Sequence, residues 1–376
     1  MSKYAGMNNA EITSGQCAKL LFLFALGSSA LILPTTVTLI AKQDAWISML
    51  LVGPVNYFVL MIYLALADRF PNMSPAHYVG KVVGVWGGKV LTFLYCLFFL
   101  LTSALVLRNI SDFMNLSVLP QTPEWFIDVT FMIVVIYGAL LGIETIARTG
   151  EILFGWCTFV ITILLFALFN QFDFHNFEPF LYDGLVRPIK GIYPVLGFPI
   201  GEFVFITLLL PQVRQEDRKK LRKALKLSVV MITFVSTLLA AFLVGVMGVS
   251  DASRSPFAIY DMAKNINIEE IVVRIEILVA MVWVATVFIK LVLCVYVLSL
   301  ITGQLLKLST YRPLVIPYSF IIVPLSLLVY RNAAQAQEFA IGAWTIYSLL
   351  HGFVFPMLLL LIAMIRGKKD TGDGST

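Results

Sequence analysis

The stretch Gly197-Phe198-Pro199-Ile200-Gly201-Glu202 lies in the middle of an apolar run, about 191 to 211, that is otherwise long enough to cross a bilayer, which takes ~20 residues. Two glycines, a proline and an acid within six residues predict a break in the helix. A break inside hydrocarbon frees backbone N–H and C=O groups at several kcal/mol each, so it persists only where protein, water or a ligand satisfies them. The first apolar run carries a similar signal, Gly27-Ser28-Ser29 followed by Pro34. Paired interruptions at matching places in two halves of a chain point to a binding site at the middle of the membrane.

Working outward, 59% of the 376 residues are hydrophobic and only 13% are charged, a balance that describes an all-α polytopic membrane protein rather than a soluble domain. Apolar runs fall at roughly 15–41, 45–67, 88–111, 125–145, 151–170, 191–211, 226–249, 270–304, 314–330 and 341–365, which predicts ten transmembrane helices in one membrane domain spanning 1–376. The first run follows a polar start and is too long for the core of a signal peptide, so it is read as the first spanning helix. With the N-terminus inside, eighteen Lys and Arg fall on the inner side and eight on the outer. The positive-inside bias therefore predicts cytoplasmic N- and C-termini. The net charge of +5 reports this topology and gives no reason to expect nucleic-acid binding. Arg214, Arg218, Lys219, Lys220, Arg222, Lys223 and Lys226 read as a solvated inner loop, able also to meet anionic lipid.

Ten helices divide into two repeats of five, 15–170 and 191–366. An odd number per repeat forces the second to enter from the opposite side, giving a LeuT-like 5+5 inverted repeat whose broken first and sixth helices meet at the midplane. The eighth run, at about 35 residues, is ~50 Å of helix against ~30 Å of hydrocarbon, so it must tilt or project, and Glu269, Glu270, Arg274 and Glu276 mark its outer end.

The candidate ligand-binding residues follow from the breaks. Gly27, Ser28 and Ser29 offer free N–H groups, hydroxyls and the positive end of a half-helix, which suits a carboxylate. Gly197, Gly201 and Glu202 form the opposing wall. Glu202, an ionisable group in mid-membrane, is functional by default and is a candidate to bind an amine, carry a proton or cap the amides of its own broken helix. Lys290, some 13 residues from the inner end of the eighth run, is a candidate to pair with Glu202 or to replace a sodium ion where the first and eighth helices pack. Thr286 and Tyr95 are candidate hydroxyls. Cys17, Cys96, Cys157 and Cys294 lie in or beside apolar runs and read as small apolar residues. No metal-ligand spacing, cofactor fingerprint or enzyme motif is evident, and His77, His175 and His351 are far apart.

Several of these residues occur in a recognisable order. Gly27 to Pro34, Arg108 through Leu119-Pro120-Gln121-Thr122-Pro123, Gly142 to Arg148, Gly201-Glu202 with Leu210-Pro211, and Arg274-Ile275-Glu276 with Trp283 and Lys290 resemble the B subunits of bacterial spore germinant receptors. These form the endospore germination permease family of the amino acid, polyamine and organocation superfamily. The resemblance spans about residues 10 to 365. It implies a LeuT-like subunit that binds a small nutrient, often an amino acid, and triggers germination with A and C subunits in the spore inner membrane, without assuming transport. A proton-coupled amino-acid permease and a channel or structural membrane subunit without its own ligand are the rival readings.

Overall fold

The computed structural model describes residues 11–71, 73–264, 275–331 and 333–367, with Ser28, Ala333 and Ala334 as backbone alone. The helices are α1 (Ser14–Ser29), α2 (Leu33–Ala41), α3 (Ala45–Arg69), α4 (Pro75–Val83), α5 (Val85–Phe113), α6 (Glu124–Leu141), α7 (Ile143–Leu168) and α8 (Val186–Gly197). There follow α9 (Ile206–Leu209), α10 (Arg218–Ala252), α11 (Ala258–Lys264), α12 (Ile275–Leu305), α13 (Arg312–Leu328), α14 (Ala333–Phe339), α15 (Thr345–Leu349) and α16 (Phe355–Ile365). Among the described residues, eight helical stretches are long and apolar enough to cross a membrane, and Ser14–Gly27 and Arg312–Leu328 are shorter apolar helices. That set is consistent with ten crossings when the paired segments α1–α2 and α8–α9 each count as one interrupted helix.

Helix α1 opens with a capping box: the Gln16 backbone N–H donates to Thr13 Oγ1 at 3.2 Å, and the Thr13 N–H donates to Gln16 Oε1 at 3.0 Å, satisfying two of the donors a helix start leaves free. The helix runs on through Gly27 and Ser29, so the break expected there falls later, at Ala30–Ile32. Gly27 is needed for contact rather than for unwinding. A Cβ on it would lie 2.8 Å from the Thr286 carbonyl oxygen, so its bare backbone is what lets α1 lie against α12. Pro34 stands in the first turn of α2, where its missing N–H has no intrahelical partner to lose.

The second interruption lies where the sequence puts it. Helix α8 ends at Gly197, Phe198 is extended (φ −144°, ψ 132°) and Ile200–Phe205 form a 3₁₀ segment before α9. This segment packs against Leu350–Val354, a π-helical turn between α15 and α16. Both partners present glycine: a Cβ on Gly352 would overlap the Gly201 backbone, and one on Gly201 would strike Ser348 of α15, just before the π turn. The π turn loosens carbonyls that would otherwise point unpaired into the core. Tyr63 Oη donates to the Gly352 oxygen at 2.5 Å and Tyr95 Oη to the His351 oxygen at 2.9 Å.

Helix α12 has 31 described residues, ~46 Å at 1.5 Å each, and is buried almost continuously from Thr286 onward. It is the central post against which α1, α5, α6 and α7 pack. Of the charges expected at its outer end, Glu269, Glu270 and Arg274 lie outside the described residues. The sharp turn from α6 to α7 rests on Gly142 at φ +89°, a conformation that side chains resist.

The end of the bundle assigned to the cytoplasm is tied shut. Ile12 lies beside Val213 as a one-residue parallel bridge, its N–H donating to the Gln212 oxygen and its oxygen accepting from the Arg214 N–H, each at 3.0 Å. Arg222 pairs with Asp68, and Lys19 with Glu151. Part of the basic run is thus engaged with neighbouring helices.

Two outcomes are expected. A single cysteine introduced at Phe180, an exposed position, should react with an impermeant maleimide from the outer side, and one at Asp373 only from the inner side. The four native cysteines are buried and unpaired, so they give little background; reaction of both positions from one side would refute the topology. Gly201→Ala and Gly352→Ala should each lower protein abundance, since overpacking a closed core costs about 1–3 kcal/mol. Immunoblots at wild-type level for both would show that the contact is not tight.

Candidate functional site

Glu202 and Lys290 form an ion pair in the centre of the bundle, Lys290 Nζ to Glu202 Oε2. Glu202 comes from the 3₁₀ segment that replaces helix in the second interruption, and Lys290 from the middle of α12. Lys290 is fully buried and Glu202 is 3% exposed. The ammonium also stands 4.9 Å from the centre of the Phe24 ring on α1, and Trp344 hydrogen-bonds the Glu202 carboxylate. Both interrupted helices and α12 are therefore joined by one buried charge pair. Such a pair is costly to form, and removing one member leaves the other uncompensated at about 3–5 kcal/mol.

Above the pair lies a cavity of about 340 Å³, bounded by α2, α5, the turn after α8, the Ser253–Phe257 segment, Tyr330 and the α14–Trp344 stretch. Glu202 and Phe198 are its floor, and its mouth faces the end assigned to the outside. Ile32, Leu39, Leu105, Val106, Phe257 and Phe339 give it apolar walls. Polar groups enter from Thr35, Thr36, Asn109, Asp112, Arg254 and Gln337. A mostly apolar pocket with a few convergent polar groups is the usual form of a small-molecule site.

Of the residues expected at the site, Glu202 lines this cavity and Lys290 lies directly beneath it. Gly27 packs on α12, Gly197 on Thr345, and Gly201 on Ser348 and Gly352. Ser29 Oγ donates back to the Ala25 oxygen at 2.5 Å, and Thr286 Oγ1 to the Trp283 oxygen at 2.9 Å. Tyr95 lines a separate crevice with Thr92, Thr207 and Pro356. The side chain of Ser28 is outside the description. The small residues thus bring the helices together, and the cavity surface comes from their neighbours.

Sequence reasoning missed Thr35, Asn109, Asp112, Tyr330 and Trp344. One signal was available: Arg108 and Asp112 are a charged i,i+4 pair inside an apolar helix, which calls for a reason. Another acid, Asp128 on α6, is wholly buried and accepts from Ser326 Oγ of α13 at 2.7 Å.

Spore germination protein KB of Bacillus subtilis is 27% identical over 96% of this chain and 97% of its own length. YndE of the same organism, also a spore germination protein, is 25% identical over 96% of this chain and 98% of its own. Among solved structures, a Na⁺-coupled sialic acid symporter in a substrate-bound outward-open state aligns with a TM-score of 0.62, at 11% identity, over 93% of this chain and 80% of the symporter. MhsT in complex with L-phenylalanine aligns with a TM-score of 0.59, at 14% identity, over 94% and 99%. A mutant of the Eremococcus coleocola manganese transporter gives 0.61, at 15% identity, over 98% and 85%. At these identities the likeness establishes the LeuT-type fold alone, and the eight apolar spans among the described residues, with the spore germination relatives, make the chain a multi-pass membrane protein. The family model described as spore germination protein matches residues 11–336, most of the chain, and the chain belongs to that family.

Proposed function

We propose that this chain is the nutrient-sensing subunit of a spore germinant receptor, binding a small molecule, an amino acid in the first instance, in the cavity above Glu202 and Lys290. The observation that carries the reading is the position of that cavity: its floor is the interrupted segment and the ion pair that joins both broken helices to α12. A ligand resting there acts on the element whose geometry decides how the two halves of the bundle sit. Receptor A and C subunits would receive the change, in the spore inner membrane. Gly27, Gly197, Gly201 and Thr286 serve the site from behind, as the contacts across which the broken helices move. The transporter fold keeps the permease reading in play, and accumulation of substrate by vesicles carrying this chain alone would favour it.

The decisive test is a nutrient panel applied to spores whose only receptor contains this chain. Some small nutrient should trigger germination, and Ala340→Trp, which places a large ring in the cavity wall, should abolish the response while abundance holds. A response untouched by the tryptophan would refute the assignment of the cavity.

The ion pair yields a further expectation. Glu202→Gln and Lys290→Met should each impair germination strongly, since each removes the counter-charge of a buried group. The double variant should lose less than the sum of the singles, because contacting residues couple by about 0.5–3 kcal/mol. Strictly additive losses at equal abundance would show that the two charges act separately.

A further inference from the structure

One wall of the cavity carries a carboxylate that its neighbours satisfy incompletely. Asp112 lies near the end of α5 with 18% of its side chain exposed, and Arg108, one turn earlier, is nearly buried. The aligned donors of the Arg108 guanidinium go elsewhere: Nη1 and Nη2 donate to the two Glu124 oxygens at 2.7 and 3.3 Å. Arg108 Nε stands 2.9 Å from Asp112 Oδ1, but its alignment is too poor for a hydrogen bond. Asp112 thus receives the Coulomb part of the contact while Glu124 holds the fork. The Tyr330 ring covers the guanidinium at 5.3 Å, and the Tyr330 hydroxyl donates to Asn109 Oδ1 at 3.2 Å while also reaching Asp112. Counted in ionised forms, two carboxylates share one cation.

Glu202, the other acid lining the cavity, is matched by Lys290. Among the described lining residues Arg254 is the one cation, and its side chain is 78% exposed, its near acid Asp251 standing 3.9 Å away. The inner part of the cavity therefore carries surplus negative charge on the Asp112 side.

A second group in the cavity stands without a hydrogen-bond partner. In α2, Thr36 Oγ1 donates to the Ile32 oxygen at 3.0 Å and Thr38 Oγ1 to the Pro34 oxygen at 2.7 Å. Thr35, 5% exposed and lining the cavity, has no partner for its hydroxyl. It stands in the first turn of α2, where the helix dipole favours negative charge.

We infer that Asp112 receives a protonated amine of the ligand, and that Thr35 with the start of α2 receives an acceptor group on the same molecule. The ligand class is then small zwitterions, and uncharged sugars and simple anions are disfavoured. This rests on the cavity being the nutrient site. A charge-assisted hydrogen bond to Asp112 is worth roughly 10- to 100-fold in affinity, which is the discrimination it would supply against a ligand of equal size lacking the ammonium.

The test uses the full chain in lipid nanodiscs for ligand-induced thermal shift, and spores whose only receptor contains it for response. The probes are the common L-amino acids, their 2-hydroxy-acid counterparts, and glucose and fructose. At least one amino acid should act, its hydroxy acid being roughly 10- to 100-fold weaker. Asp112→Asn should bring the two to similar potency, and Asp112→Glu should restore part of the preference. A uniform loss with the preference retained would show that Asp112 only positions Arg108, and overturns the inference. Sugars or hydroxy acids acting as well as amino acids, with Ala340→Trp still abolishing the response, would overturn it while leaving the cavity reading intact. Responses that survive Ala340→Trp, or the absence of any response or shift, would overturn both.

Discussion

A backbone carbonyl or amide released inside hydrocarbon must find a partner within the protein, and the core of this chain is arranged around that requirement. Two helices are interrupted and a third contains π turns, and side chains from neighbouring elements meet several of the freed groups. Tyr63 and Tyr95 reach across from α3 and α5 to the carbonyls of Gly352 and His351. Ser29 and Thr207 bond back to carbonyls of their own turn, those of Ala25 and Val204. Glu202 could have served the same purpose as a cap for its own segment. It faces Lys290 instead, which moves the most costly group of the interruption from local repair to a contact between helices.

This explains which parts were legible in the sequence. Helix breaks are written locally: Gly197, Pro199 and Gly201, crowded into five residues, all disfavour helix, and the observed break falls among them. Deep charges are equally legible, because Glu202 and Lys290 stand out against apolar neighbours and each needs a counterpart. Gly27 was harder. A glycine that unwinds a helix and one that lets two helices touch look alike in sequence, and the Thr286 carbonyl that decides between them is 259 positions away. The cavity wall was illegible for the same reason. Thr35, Asp112, Tyr330 and Trp344 come from four separate segments, and no spacing rule links them.

The two ends of the bundle are held by different means. At the end assigned to the cytoplasm, backbone bonds between Ile12 and the Gln212–Arg214 segment join the start of α1 to the exit of α9, and ion pairs add to that seal. At the opposite end, the corresponding space is the open cavity, and the charged groups there are organised along its wall instead of across it. Arg108 draws Glu124 of α6 and Tyr330 after α13 onto α5, so one buried guanidinium fixes the position of three elements around the mouth.

A ligand shifts such a protein only by the difference in its affinity for two arrangements of the bundle. The floor of the cavity is a segment held by a glycine contact, Gly201 on Gly352, and by one buried ion pair. The glycine contact has no side-chain slack, so the 3₁₀ segment and the π turn must move together or not at all. The ion pair holds Lys290 on α12, which is buried almost continuously from Thr286 onward. Movement of the floor therefore strains Glu202 against Lys290, and a ligand that binds the moved arrangement more tightly relieves the strain. In a carrier the relief would end with the inner seal opening and the ligand leaving. In a sensor it is enough that the floor and the π turn behind it shift, without any passage through the membrane.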